Sequence, residues 1–292
     1  MNIAHFGMDT ITLAGPLEAK LRVIREVGFT QVMLNAADLV GHPGGEDAAV
    51  RAVRDSGLEV TGFQVLRDFE GLSGHLHAYK LDVAKAMLAM CRALGSNVLL
   101  ACSSTSAHAT GDKDSLIRDL RKLALLAVPY GIRIAYEALS WGRHVNLLTH
   151  AWQIVQDADR SNLGICLDSY HVLAHGTNPD VVDTIDPCKV VLVQLSDFLW
   201  RETRSPEDRM ETARHYRVFP GEGVHSPEVV ALVRKLDAQG YRGDYSFEVF
   251  NDDYRQISVA TVAERARSSV KWIAGQIGRR TLPQRRGASH GG

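Results

Sequence analysis

Short apolar runs alternate with longer amphipathic segments along this chain. The runs rich in Val, Ile, Leu and Phe cover residues 3–8, 31–36, 59–66, 97–102, 133–139, 163–168, 190–194 and 245–250, and they predict eight strands. Between them, residues 17–27, 76–94 and 113–128 carry a helical period. The first two are followed by Gly28 and Gly95, and the third runs into Pro129-Tyr130-Gly131. Glycine just past a helix is a stop signal, because it accepts the left-handed backbone that ends the last turn. Repeated strand–helix units with eight strands predict an α/β fold, the closed (β/α)8 TIM barrel. The predicted domain is 1–277. The remaining segment, 278–292, places Arg279, Arg280, Arg285 and Arg286 among Pro, Ser and Gly without an apolar period, and is expected to be disordered.

Four of the apolar runs end in an oxygen donor: Glu137 after Ile134-Ala135-Tyr136, Asp168 after Leu163 to Leu167, Gln194 after Val191-Leu192-Val193, and Glu248 after Tyr245-Ser246-Phe247. In a parallel barrel the C-terminal strand ends converge on one mouth, so these donors are expected to meet there. Carboxylates buried together are costly without a cation. A set of oxygen donors suits Mg²⁺ or Mn²⁺ better than Zn²⁺. The alternative for any single carboxylate is that it caps a helix or pairs with an arginine at the rim. His171, three residues beyond Asp168, is the candidate general acid/base, acting beside Glu137 and Glu248. His144, on the connection after Glu137, is a weaker candidate for contact with substrate, and His75 and His77 read as loop surface.

Two connections interrupt the regular alternation, residues 67–75 and 198–226, and the second reads as a substrate-covering segment. They carry Arg67, Arg214 and Arg217. Guanidinium groups grip carboxylates in a bidentate fork, so an anionic small molecule is the expected substrate.

Bulk properties narrow the field. A chain of 292 residues suits one large domain, and Lys+Arg 33 against Asp+Glu 34 leaves no field that would recruit nucleic acid or an anionic membrane. No stretch reaches the roughly 20 apolar residues of a membrane span. Cys91, Cys102, Cys166 and Cys188 lack paired spacing and read mostly as buried thiols of a reducing compartment, so a cytoplasmic location is expected. No phosphate-binding glycine loop, dinucleotide fingerprint or GxSxG elbow occurs. Self-association into a homo-oligomer is left open.

The segments Arg67-Asp68-Phe69-Glu70-Gly71, Glu137 to Asn146, Asp168-Ser169-Tyr170-His171, Arg217-Val218-Phe219-Pro220-Gly221 and Glu248-Val249-Phe250-Asn251 resemble the sugar phosphate isomerase/epimerase superfamily of xylose isomerase-like barrels. The resemblance extends over nearly all of residues 1–275. Within that superfamily they are most similar to the bacterial 3-dehydroshikimate dehydratase family. Many of the sugar epimerases carry histidine as third metal ligand, whereas the dehydratase branch resembles this chain in having glutamine, here Gln194. The resemblance implies that Glu137, Asp168, Gln194 and Glu248 bind one divalent ion (Mg²⁺, Mn²⁺ or Co²⁺), that His171 serves acid/base catalysis, and that Arg67 and Arg217 hold substrate. It implies a hydro-lyase that converts 3-dehydroshikimate to protocatechuate and water through a metal-stabilised enolate. The segment 201–211 is more charged than its counterpart in that family. The rival on the same barrel is a divalent-metal ketose epimerase or isomerase, for which the loop arginines have no purpose. An abasic-site endonuclease would need several histidines at strand ends, and a non-catalytic barrel would not need the four-donor set.

Overall fold

In the computed structural model, residues 5–278 are described. The first residues of the strand expected from Ile3 lie outside them, as does the tail expected over 278–292 apart from Gly278, which ends a helix. In chain order the main elements are β1 (Phe6–Asp9), α1 (Leu17–Glu26), β2 (Gln31–Asn35), α2 (Ala36–Val40), α3 (Glu46–Ser56), β3 (Glu59–Leu66), α4 (Gly74–Ala93), β4 (Val98–Cys102), α5 (Lys113–Ala127), β5 (Arg133–Glu137), α6 (Leu148–Ala158), β6 (Leu163–Asp168) and α7 (Ser169–Ala174). They continue with β7 (Val190–Leu195), β8 (Asp197–Phe198), α8 (Pro206–His215), β9 (Arg217–Val218), α9 (Ser226–Ala238), β10 (Tyr245–Phe247) and α10 (Val259–Gly278).

Eight strands close into a barrel in the order β1-β10-β7-β6-β5-β4-β3-β2, and each neighbouring pair is parallel. Strands covered on both faces read as continuous apolar runs, which is why their positions were visible in the sequence. One face packs outward against the helices, as Phe63, Leu99, Ile134 and Ile165 do. The other fills the barrel interior with Met33, Val98, Leu100, Ala135, Cys166 and Leu192. The register sets Glu137 beside Cys166, and Asp168 beside Gln194.

Several expected boundaries shift. The strand expected over 133–139 ends at Glu137, the one expected over 245–250 ends at Phe247, and Gln194 is the penultimate residue of β7. α4 begins at Gly74, so His75 and His77 lie in its first turn instead of on a loop. Cys91, Cys102 and Cys166 are buried, but Cys188 is exposed in a short turn and departs from the buried expectation. No helix among the described residues is long and apolar enough to cross a membrane.

Both irregular connections are ordered by polar contacts. After β3, Gly71 adopts φ +78°, and a Cβ there would meet the Thr110 carbonyl at 2.7 Å. The turn needs glycine for its backbone and for its space. Asp68 then accepts from Thr105 N at 2.7 Å, which ties this loop to the one after β4. The long connection after β7 is a covering subdomain: β8 and β9 pair antiparallel around α8. A capping box between Ser205 and Asp208, with Pro206 in the first turn, starts α8. Arg209 Nε donates to Ser140 O at 2.8 Å, and Tyr170 Oη donates to Arg209 O at 2.6 Å, holding α8 against the barrel mouth.

Candidate active site

The mouth encloses a cavity of about 270 Å³. Its lining includes Gln64, Arg67, Glu137, Trp141, His171, Arg214, Arg217 and Glu248. Strand ends deliver the acidic side chains: Glu137 closes β5, Asp168 closes β6, and Glu248 follows β10 directly. Asp168 is also the N-cap of α7 and accepts from Tyr170 N at 2.7 Å, so the residue that ends the strand aims the helix carrying His171.

His171 is buried and is held from behind by Ser140, whose backbone N–H donates to Nδ1 at 3.2 Å and whose hydroxyl lies 3.1 Å from the same atom. A backbone N–H has only a proton to offer, so Nδ1 must accept, and the neutral ring carries its proton on Nε2. Burial, and then the charge of Arg217, push the His171 pKa well below the usual histidine value, which keeps the ring neutral. Nε2 lies 3.7 Å from Glu137 Oε1 and 3.6 Å from Asp168 Oδ2. Trp141 meets the ring edge-on at 5.2 Å.

Glu137, Asp168 and His171 can each offer a ligand atom within 4.8 Å of the others, and Glu137 Oε1 is buried without a hydrogen-bond partner. Loss of water raises the pKa of all three carboxyls, that of Glu248 to about 7. For Glu137 the charges of Glu248 and Asp168 push the same way, while Arg217 pulls Asp168 and Glu248 back. Buried acids in this condition fit a divalent cation, which would favour their charged forms and give Glu137 Oε1 a partner. The donors do not select which ion.

Arg217 departs from its expected role. It is fully buried, and Nη1 donates to Asp168 Oδ2 at 2.7 Å and to Glu248 Oε2 at 3.1 Å, while Nε donates to Ala213 O at 3.0 Å. Its guanidinium lies 4.5 Å from the Tyr170 ring centre. This arginine is therefore first a counter-charge for the acidic floor. Three carboxylates against one guanidinium leave two negative charges, the charge of one divalent ion. Arg67 and Arg214 are exposed at the rim and have no ion-pair partner among the described residues. Arg214 is 5.9 Å from the Trp141 ring centre.

Two expected residues are not brought to the cavity. His144 is exposed and its Nε2 lies 2.9 Å from Ala109 O, so its ring serves the loop packing. The Gln194 amide faces the barrel interior, where Cys166 Sγ contacts Oε1 at 3.2 Å and Nε2 lies 3.8 Å from Met33 Sδ. Conversely, Ser140 and Gln64 were not singled out. Ser140 lies three residues beyond Glu137. Gln64 is the polar residue in the apolar end of β3, Phe63-Gln64-Val65-Leu66.

The Xylose isomerase-like TIM barrel family model matches residues 21–276. A 3-dehydroshikimate dehydratase of Pseudomonas aeruginosa is 38% identical over 246 residues, 84% of this chain and 38% of that protein. A 3-dehydroshikimate dehydratase of Neurospora crassa is 27% identical over 315 residues, covering 88% of each chain. Among solved structures, a xylose isomerase-like TIM barrel/4-hydroxyphenylpyruvate dioxygenase fusion protein superposes with a TM-score of 0.87 at 34% identity, covering 94% of this chain and 43% of that one. The chain thus spans less than half the length of the Pseudomonas relative and of the fusion protein. With its closed parallel barrel and acidic mouth, and a family match across most of its length, the chain belongs to the xylose isomerase-like TIM barrel family.

Proposed function

We propose that this barrel is a hydro-lyase that dehydrates 3-dehydroshikimate to protocatechuate, with a divalent cation at its carboxylates. The observation that carries the reading is the division of charge in the cavity. Arg67 and Arg214 stand exposed at the rim over a floor of Glu137, Asp168 and Glu248. A small ring acid with a ketone and vicinal hydroxyls has the complementary pattern: a carboxylate for the arginines and neutral oxygens for the floor. A neutral ketose has nothing for the arginines to bind. The names of the Pseudomonas and Neurospora relatives support the same substrate.

Glu137, Asp168 and Glu248 would hold the ion. When bound, the ion supplies Lewis-acid polarisation of the ketone, which acidifies the neighbouring C–H. Arg67 and Arg214 hold the ring carboxylate and orient the ring. Glu137, through the carboxylate oxygen left free of the ion, takes the proton from the carbon beside the ketone, and that electron pair forms the new ring double bond as the adjacent C–O bond breaks. The proton on Glu137 passes to the departing hydroxyl, which leaves as water, while the His171 Nε2–H hydrogen-bonds that oxygen and stabilises its developing negative charge. Glu137, 3.7 Å from Nε2, is left in its charged form for the next turnover. The ring dienone tautomerises to the aromatic acid.

The test adds 3-dehydroshikimate to metal-depleted protein, with and without Mg²⁺, Mn²⁺ or Co²⁺, and follows protocatechuate absorbance. Ion-dependent formation of the aromatic acid is expected. Its absence with every ion refutes the reading, and solvent-deuterium exchange into a ketose without loss of water would favour the epimerase.

A further inference from the structure

Glu248 follows a strand of only three residues, so its backbone and its side chain both need outside support. The backbone is pinned by Thr12, whose hydroxyl donates to Phe247 O at 3.2 Å and accepts from Val249 N at 2.9 Å. The side chain is reached from two sides. Arg217 donates to Oε2, and the amide of Gln64 of β3, which lines the same cavity, favours the charged carboxylate.

Gln64 is 2% exposed, and its Nε2 also donates to Asp9 Oδ2. Asp9, the last residue of β1, is fully buried, and its other oxygen accepts from Ile11 N at 2.9 Å. No cation lies within ion-pair distance of Asp9 among the described residues, so the ordinary reason for burying a carboxylate is missing. What Asp9 does supply is two acceptors. One is fixed by the backbone of the turn after β1, and the other receives the Gln64 amide. An amide can present its oxygen or its NH2 group to a neighbour, and an oxygen would repel Glu248. The Gln64 amide donates to Asp9 Oδ2, so its NH2 group, not its oxygen, is the side that Asp9 fixes.

We propose that Asp9 and Gln64 are positioning residues forming a relay, in which Asp9 orients the Gln64 amide and Gln64 holds the Glu248 carboxylate in place for the divalent cation. The inference rests on the reading of Glu248 as a metal-side carboxylate, and it is independent of the substrate. Partners that orient metal-binding side chains commonly alter affinity by 10–100-fold when removed.

The probe is Mn²⁺ alone, titrated into metal-depleted wild-type protein and into Gln64→Leu, Asp9→Asn and the double variant, with bound ion read by electron paramagnetic resonance. Gln64→Leu is expected to weaken Mn²⁺ binding about 10–100-fold and to broaden the bound-ion spectrum. Asp9→Asn, which keeps the shape and loses one acceptor, is expected to weaken it less. The double variant should bind no more weakly than Gln64→Leu, because Asp9 acts through Gln64. A melting temperature measured for each variant separates this from loss of fold, since a merely structural role moves melting and leaves the spectrum unchanged. Affinity within twofold of wild type for Gln64→Leu, or additive losses in the double variant, overturns the relay. If wild type binds Mn²⁺ but makes no aromatic acid, the dehydratase reading falls and the relay stands. If wild type binds no Mn²⁺, the metal reading falls and the relay with it.

Discussion

Replacing Arg217 by Met tests whether the acidic floor depends on a built-in cation. Arg217 is 2% exposed and contacts Asp168 at 2.7 Å and Glu248 at 3.1 Å, both of them buried. An exposed pair of this kind would be worth ~0–1 kcal/mol. Removing one partner of a buried pair instead costs about 3–5 kcal/mol, because the charges left behind have neither water nor counter-ion. Methionine keeps most of the length and apolar bulk, so the loss is chiefly electrostatic. The pH dependence follows in sign. Without Arg217 the folded-state pKa values of Asp168 and Glu248 rise further above their unfolded values, and the folded variant binds more protons than the unfolded chain. Its stability therefore falls as pH rises through those pKa values. Urea denaturation of metal-depleted protein at pH 8 and pH 5 is the assay. The full cost is expected at pH 8. At pH 5, where the raised pKa values leave less charge on the carboxyls, it should shrink toward the ~1–2 kcal/mol of lost hydrogen bonds. Saturating Mn²⁺ at pH 8 should recover part of the difference, since a bound ion stabilises the folded state. A cost below about 1 kcal/mol at pH 8, or the same cost at both pH values, refutes the counter-charge argument.

His171→Leu is expected to leave Mn²⁺ affinity near wild type while lowering kcat by about 10²–10³-fold, the usual range for loss of a hydrogen bond to developing negative charge; unchanged kcat removes His171 from the elimination. Arg67→Leu and Arg214→Leu should each raise KM for the acid by about 10–100-fold, from ~1.5–3 kcal/mol per charged hydrogen bond, without changing metal affinity. Steady-state kinetics checks this, and an unchanged KM in both variants sinks the anionic-substrate argument. Glu70 is buried after β3, and its Oε1 accepts from Ser104 N at 2.6 Å and from Tyr136 Oη at 3.0 Å, with Oε2 unpartnered. Burial raises its pKa from 4.5 to about 7. Its protonated form thus contributes stability that is complete below the unfolded pKa and is lost as pH rises through about 7. Glu70→Gln should match wild type near pH 5 and exceed it at pH 8 in urea denaturation; a pH-independent difference contradicts this.

The sequence by itself determined the eight-strand barrel, because strands buried on both faces must read as apolar runs whatever their neighbours are. It also determined which acids end those runs: Glu137, Asp168 and Glu248 are local features, and their convergence follows once the strands are parallel. The same locality made His171 visible, three residues beyond Asp168. Tertiary structure alone decided how these groups are used. Arg217 looked like a substrate ligand until it was seen against Asp168 and Glu248, which are 49 and 31 residues away in sequence. Gln194 occupies the expected strand position, yet its amide faces Cys166 and Met33, and His144 is turned to Ala109. Gln64 and Asp9, 55 residues apart, meet only because β3 and β1 share the mouth of a closed barrel. A strand residue's inward or outward face follows from local alternation. Which charge it meets there depends on the register and closure of the whole sheet, which one-dimensional spacing does not contain.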